Sequence, residues 1–112
     1  MKNEFLLTYS VKDMGKKTSD TDANTVRYYI ESYLSNDVDF DDVNKLKNVE
    51  TTITGMITVT GSIEIDKKTN IIKIIRRVFK KLMDEYDIKD TSIEIDCAIL
   101  VHGIKKAIVF KV

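Results

Sequence analysis

Ile93-Glu94-Ile95-Asp96-Cys97-Ala98-Ile99-Leu100-Val101, His102-Gly103, Ile104-Lys105-Lys106-Ala107-Ile108-Val109-Phe110-Lys111-Val112 is the stretch that decides the fold of this 112-residue chain. Two runs rich in β-branched residues flank a His-Gly pair, the pattern of a β-hairpin closed by a two-residue turn. Such a turn pairs Val101 with Ile104, so odd positions before it share a face with even positions after it. Ile93, Ile95, Cys97, Ile99 and Val101 then lie with Ile104, Ile108, Phe110 and Val112 on one apolar face. Glu94, Asp96, Ala98 and Leu100 lie with Lys105, Ala107, Val109 and Lys111 on the other, and Glu94 stands opposite Lys111 as a favourable cross-strand pair.

Working outward, residues 4–12 alternate Phe5, Leu7, Tyr9 and Val11 against Glu4, Leu6, Thr8 and Ser10, which predicts a first strand. A polar loop over 13–20 follows. Val26, Tyr29, Ile30, Tyr33 and Leu34 recur at helical spacing and predict a helix over 21–35, with Ser19, Asp20 and Asp22 as candidate caps and Ser35-Asn36 as its stop. Residues 37–48 fit an acidic loop, a short strand through Val38 and Phe40, or one helical turn through Val43 and Leu46.

From Val49 to Ile65 the odd positions are apolar or glycine apart from Thr51, and the even ones are mostly Thr, Ser and Glu. That is strand alternation over too great a length for one ordinary strand. Either an odd-length loop lies near Gly55 or Gly61, or one long strand bends there with its antiparallel partner drawn from residues 38–47. A second helix is predicted over 70–87, capped by Thr69 or Asn70. Its stripe is Ile71, Ile74, Ile75, Val78, Phe79, Leu82, Met83 and Tyr86.

The order β-α-β-β-α-β-β points to an α+β, ferredoxin-like two-layer sandwich: βαββαβ plus a C-terminal strand, two helices on one face of an antiparallel sheet. In that arrangement residues 92–101 pair with the first strand on one side and with the terminal strand on the other. The terminal strand becomes an edge that Lys105, Lys106 and Lys111 protect. One chain of this length makes one domain spanning 1–112.

Composition excludes several classes of function. Hydrophobic residues make up 43% and charged residues 32%, which argues against disorder. No apolar run approaches a membrane span or a signal-peptide core. Cys97 is the one cysteine, so no internal disulfide forms, a cytoplasmic location is expected, and the residue reads as a small buried hydrophobe. With one histidine and one cysteine there is no zinc constellation, and His102 reads as a turn residue. No spacing suggests a Ser-His-Asp site, no glycine cluster would cradle a phosphate, and no metal or cofactor is implied. Net charge is zero, but residues 1–66 hold 7 basic and 12 acidic side chains and residues 67–112 hold 11 and 6, which predicts one acidic and one basic patch.

Three candidate surfaces remain. Asp37-Val38-Asp39-Phe40-Asp41-Asp42 spaces its carboxylates like the start of a calcium loop. The sixth and twelfth positions, however, hold Asp42 and Asn48 instead of glycine and glutamate, so the stretch reads as a solvated acidic connection. Lys67, Lys68, Lys73, Arg76, Arg77, Lys80 and Lys81 lead into and along the second helix. They fit phosphate contact or, more simply, a solvent face with Lys80 and Lys81 compensated by Asp84 and Glu85. The open sheet face is predicted to carry Thr8, Ser10, Thr52, Thr54, Met56, Thr58, Thr60, Glu94 and Asp96, with Leu6, Leu100 and Val109. It has no aromatic ring on which a base could stack, so Thr52, Thr54, Met56, Thr58, Leu100 and Val109 are candidates for protein contact.

The opening Glu4-Phe5-Leu6-Leu7-Thr8-Tyr9-Ser10-Val11-Lys12-Asp13, followed by a loop and a helix, resembles the start of small ferredoxin-like proteins of bacterial defence and toxin–antitoxin systems. Two such families are the CRISPR adaptation nuclease subunit and the GhoS-type antitoxin ribonucleases. The resemblance covers the first strand and the order of elements. It implies a bacterial or mobile-element origin. In the CRISPR subunit an aspartate follows the tyrosine that ends the first strand and helps hold a metal; here that place is Ser10, which speaks against nuclease activity and makes Asp13 the residue to test. The expectation is a small non-enzymatic protein-binding module, acting through the open sheet face or the terminal edge strand as a homodimer. The alternative is a nucleic-acid-binding protein or metal-dependent ribonuclease using Lys73, Arg76, Arg77, Lys80 and Lys81.

Overall fold

A computed structural model describes residues 1–49 and 51–112. The elements run β1 (Lys2–Asp13), α1 (Ser19–Ser35), β2 (Phe40–Lys45), β3 (Thr52–Thr58), α2 (Glu64–Glu85), β4 (Ile93–Val101) and β5 (Ile108–Lys111). They form one antiparallel sheet in the order β2-β3-β1-β4-β5 with both helices on one face. This is the ferredoxin-like α+β sandwich with one strand added beyond β4.

The alternation along β1 dictates the core. Phe5, Leu7, Tyr9 and Val11 face the helices and are buried, as are Ile93, Ile95, Cys97, Ile99 and Val101 of β4. Val26, Ile30 and Leu34 of α1 and Ile71, Ile75, Val78, Phe79 and Leu82 of α2 close over them. Burying a side chain of this size stabilises the fold by about 1.5–3 kcal/mol relative to leaving it in water.

The hairpin departs from its predicted register. Val101 does accept the amide of Ile104 at 3.0 Å, so a turn sits at His102-Gly103, with Gly103 at φ +92°. Residues 104–107 then leave the ladder, and pairing resumes at Ile99↔Ile108, Ala98↔Val109, Cys97↔Phe110 and Asp96↔Lys111. The slide is two residues, so every side chain keeps its face. Lys111 therefore stands opposite Asp96, not Glu94, and its Nζ reaches diagonally to donate to the Glu94 carboxylate.

Residues 49–65 do not form one long strand. β3 covers Thr52–Thr58 and pairs with β2, the partner drawn from 38–47. Gly55 marks the crowded point, because a Cβ there would lie 2.9 Å from the Asp41 carbonyl oxygen and 3.0 Å from the Phe5 ring. Glu50, read as part of the alternation, lies outside the described residues. Ile63 to Ile65 continue the parity but begin α2, with Ile63 as its N-cap. The helix thus starts at Glu64 rather than 70, and Thr69 and Asn70 lie inside it. The Asn70 side chain instead donates to the Thr60 carbonyl at 3.0 Å.

Around α1 the N-cap is Thr18, whose hydroxyl donates to Asp22 at 3.0 Å, and Asn36 caps the C-terminus in a right-handed conformation. Of the three readings of residues 37–48 the strand holds, but from Phe40 onward, with Val38 exposed.

Candidate functional site

Side chains of opposite parity to the core stand on the bare face of the sheet. Across the strands Thr54, Leu6 and Leu100 align in one row, and Thr52, Thr8, Ala98 and Val109 in the next. Met56 lies opposite Glu4, one step diagonal to Leu6. Met56, Leu6, Leu100, Ala98 and Val109 therefore make a diagonal apolar band with threonines along one side. Leu100 is 53% exposed and Val109 75%. Thr54, Met56 and Thr58 are half-buried, whereas Thr52 is buried at 7% exposure, with its carbonyl and amide bonded to Leu46 and Val49, and so falls out of the contact set.

Charges frame this band and satisfy one another. At one end Lys2 pairs with Asp41 at 2.9 Å, and that hydrogen bond pushes the Lys2 pKa up. At the other end Lys111 bonds Glu94, lowering the glutamate's pKa and raising the lysine's, with Asp96 at 3.9 Å. Exposed pairs of this kind add little stability, and between them Glu4 of the central strand stands beside Met56.

Each sheet edge has one outward backbone group taken up by a side chain. On β2 the ladder slips between Asp41 and Asn44, and Asp42 adopts φ +52°. The Glu31 carboxylate accepts the outward amide of Lys45 at 3.0 Å. On β5 Val112 donates its amide to Ile95 of β4, so the backbone groups of Val109 and Lys111 face outward. Arg76 donates its Nε to the Lys111 carbonyl at 2.9 Å and lays its guanidinium 5.8 Å from the centre of the Phe110 ring. Arg76 thus occupies one outward carbonyl of the terminal edge, the edge expected as one route of protein contact.

The basic side chains of α2 divide. Arg76 guards the edge. Arg77 donates to both Asp37 carboxylate oxygens at 2.7 and 2.9 Å and to Asp39 at 2.9 Å, and the Asp37 bond raises its pKa. The acidic connection is therefore not merely solvated, because two of its carboxylates clamp the approach to β2 against α2. Lys73, Lys80 and Lys81 remain, and among the described residues none forms an ion pair, not even Lys80 and Lys81 with Asp84 and Glu85. Asp13 accepts the Gly15 amide at 2.9 Å in an exposed turn, and no cluster of three or more potential metal ligands occurs among the described residues. Cys97 is buried, and burial pushes its thiol up to about 12, so it is no nucleophile.

Sequence reasoning missed a tyrosine cluster on the opposite side of the molecule. Tyr29 and Tyr86 stack with ring centres 4.8 Å apart, Tyr28 meets Tyr29 edge-on at 4.8 Å, and Tyr33 meets Tyr86 edge-on at 6.5 Å. The Tyr33 hydroxyl donates to Glu85, which pushes its pKa up to about 12. Tyr29, Tyr33 and Tyr86 follow the helical stripes, so periodicity alone reads them as core. Tyr29 and Tyr33 do pack half-buried against the core, whereas Tyr86 at 42% exposure and Tyr28 at 75% reach the outer side of the seam between α1 and α2.

No helix among the described residues is long and apolar enough to cross a membrane. No protein-family model, no curated protein and no solved structure matches this chain.

Proposed function

We propose that this chain is a small non-enzymatic protein-binding module that works as a homodimer and uses the open face of its sheet to hold a partner protein. The observation that carries the reading is the apolar band in which Leu6, Leu100 and Val109 are exposed and Met56 and Ala98 half-buried, on a face that no described element covers. Exposed apolar patches framed by paired charges are the usual character of protein contact surfaces. A bacterial or mobile-element origin, a place in defence or toxin–antitoxin systems and a cytoplasmic location rest on the resemblance of the first strand and on cysteine usage.

The test is affinity capture from the native host with and without nuclease, run beside a Leu100→Asp, Val109→Asp variant. A stoichiometric protein that survives nuclease and is lost from the variant supports the reading. Capture that depends on nucleic acid and survives the sheet-face variant but not Lys80→Glu, Lys81→Glu replaces it with the nucleic-acid alternative.

A further inference from the structure

α2 carries its charge unevenly. Its four acids, Glu64, Asp66, Asp84 and Glu85, stand in the first and last turns, and the seven basic side chains from Lys67 to Lys81 have no acid among them. Arg77 is spent on Asp37 and Asp39, but Lys68, Lys73 and Lys80 form no ion pair among the described residues. The segment extruded from the hairpin adds Lys105 and Lys106, both exposed, to the same side. The Lys105 amide donates to Glu64 at 3.2 Å and Arg76 donates to the Lys111 carbonyl at 2.9 Å, so residues 105–111 run alongside α2 from its first turn to its middle. Two isoleucines head this basic strip, Ile63 at 58% exposure and Ile65 at 72%. They stand on ordered backbone. The Ile63 carbonyl accepts the Lys67 amide at 3.0 Å, and Gly61, at φ +122°, turns the chain so tightly that a Cβ there would lie 2.9 Å from the Lys67 nitrogen. Ile65, Ile72, Arg76 and Lys80 follow at intervals of seven, four and four, and so share one stripe of α2.

We infer that this shoulder, where α2 runs beside the 105–111 segment, docks the protein on the surface of an anionic bilayer. Ile63 and Ile65 enter the boundary between headgroups and acyl chains, while Lys73, Lys80, Lys105 and Lys106 meet the negative headgroups. The two kinds of side chain together select this occupant. A nucleic acid would use the lysines and leave the isoleucines idle in water. The core of a protein interface is contiguous and poor in charge, whereas here Glu64 separates the isoleucines and lysines surround them. A lipid surface takes up separate apolar side chains without needing a matching pocket, and its charge complements the strip. The contact is peripheral, since no helix among the described residues is long and apolar enough to cross a membrane. This goes beyond the sheet-face reading and does not depend on it. The apolar band lies on the other face of the sandwich, so a docked chain keeps it free for a partner.

The experiment is co-sedimentation of the intact chain with vesicles of phosphatidylcholine, alone or mixed with phosphatidylglycerol, at low and high salt. Binding should require the anionic lipid and weaken as salt rises. Ile63→Ser with Ile65→Ser should weaken it about tenfold or more, and because both side chains are exposed the melting transition should persist. Lys105→Glu with Lys106→Glu should weaken it by at least as much. Leu100→Asp with Val109→Asp, on the other face, should leave it unchanged. No binding to the mixed vesicles, equal binding to the neutral ones, or binding indifferent to the isoleucines overturns the assignment. So does preferential, salt-sensitive binding of a labelled oligonucleotide that survives the isoleucine changes, which would give the strip to nucleic acid. A chain that ignores vesicles but still captures a protein through Leu100 and Val109 sinks the bilayer and leaves the partner-binding reading standing.

Discussion

Arg77 on α2 holds Asp37, 40 positions earlier in the chain, through hydrogen bonds from one guanidinium nitrogen to both carboxylate oxygens. The bond fixes the segment entering β2, which has little apolar burial of its own beyond Phe40. Arg77→Gln should therefore lower stability by about 1 kcal/mol, a modest figure because the arginine side chain is 49% exposed and water screens the pair. Urea denaturation measures this, and hydrogen exchange should quicken first in β2.

Ile99 is fully buried at the centre of β4, paired with Leu7 on one side and Ile108 on the other. Ile99→Ala should cost about 2–5 kcal/mol. Ile99→Asp places a carboxylate among apolar groups and should abolish the cooperative melting transition. A native melt for the aspartate variant would mean that β4 is misplaced.

The stability of the protein should fall from about pH 9 upward. The Cys97 thiol rises from 9.0 to about 12 on folding, so the folded state keeps its proton while the unfolded chain loses it. Stability from this group is complete below its unfolded pKa and is lost as pH climbs toward the folded value. Tyr33 adds the same trend from 10 to about 12. Cys97→Ala should flatten the alkaline loss, and a thiol reagent at neutral pH should label Cys97 only after denaturant is added.

Gly55→Ala should loosen the β2–β3 pairing, because the new methyl meets two backbone carbonyls, of Asp41 and Asp42, at 2.9 and 3.2 Å. Backbone cannot step aside as a flexible side chain can, and an overpacking cost of about 1–3 kcal/mol is expected. Thermal melting with circular dichroism reads it directly.

Arg76→Ala should leave the fold intact but uncover the β5 edge, and static light scattering should show increased association at high concentration. Unchanged scattering would deny the guanidinium its guarding role.

Much of this architecture is written in the chain wherever burial is one-sided. β1, β4 and the stripes of both helices each bury one face, so period two and period 3.6 stand out in the sequence. Legibility fails where burial fails. The first turn of α2 buries no apolar side chain, with Ile63 58% and Ile65 72% exposed, so no apolar stripe announces it and the parity of β3 runs on through it. β2 is a bulged edge with alternating partial exposure and gives no clear period. The turn at His102-Gly103 is right locally, but the extrusion of residues 104–107 depends on what lies around them, and only the even slide preserved the faces. The open sheet face was readable by parity apart from Thr52. The Arg77 clamp and the tyrosine seam were not, because both join residues that only the tertiary fold brings together.

The sheet order has a consequence for how the molecule comes into being. β1 sits at its centre and lines up along nearly its whole length with β4, so that Leu7 meets a residue about 90 positions later. During synthesis the first strand must wait, one of its long edges unpaired, until β4 has emerged. Closing so wide a loop is slow relative to forming either helix, which places the expected folding time toward the millisecond-to-second end for small domains. The central seam of the sheet thus stays open until β4 arrives, and that interval is the vulnerable one in this protein's folding.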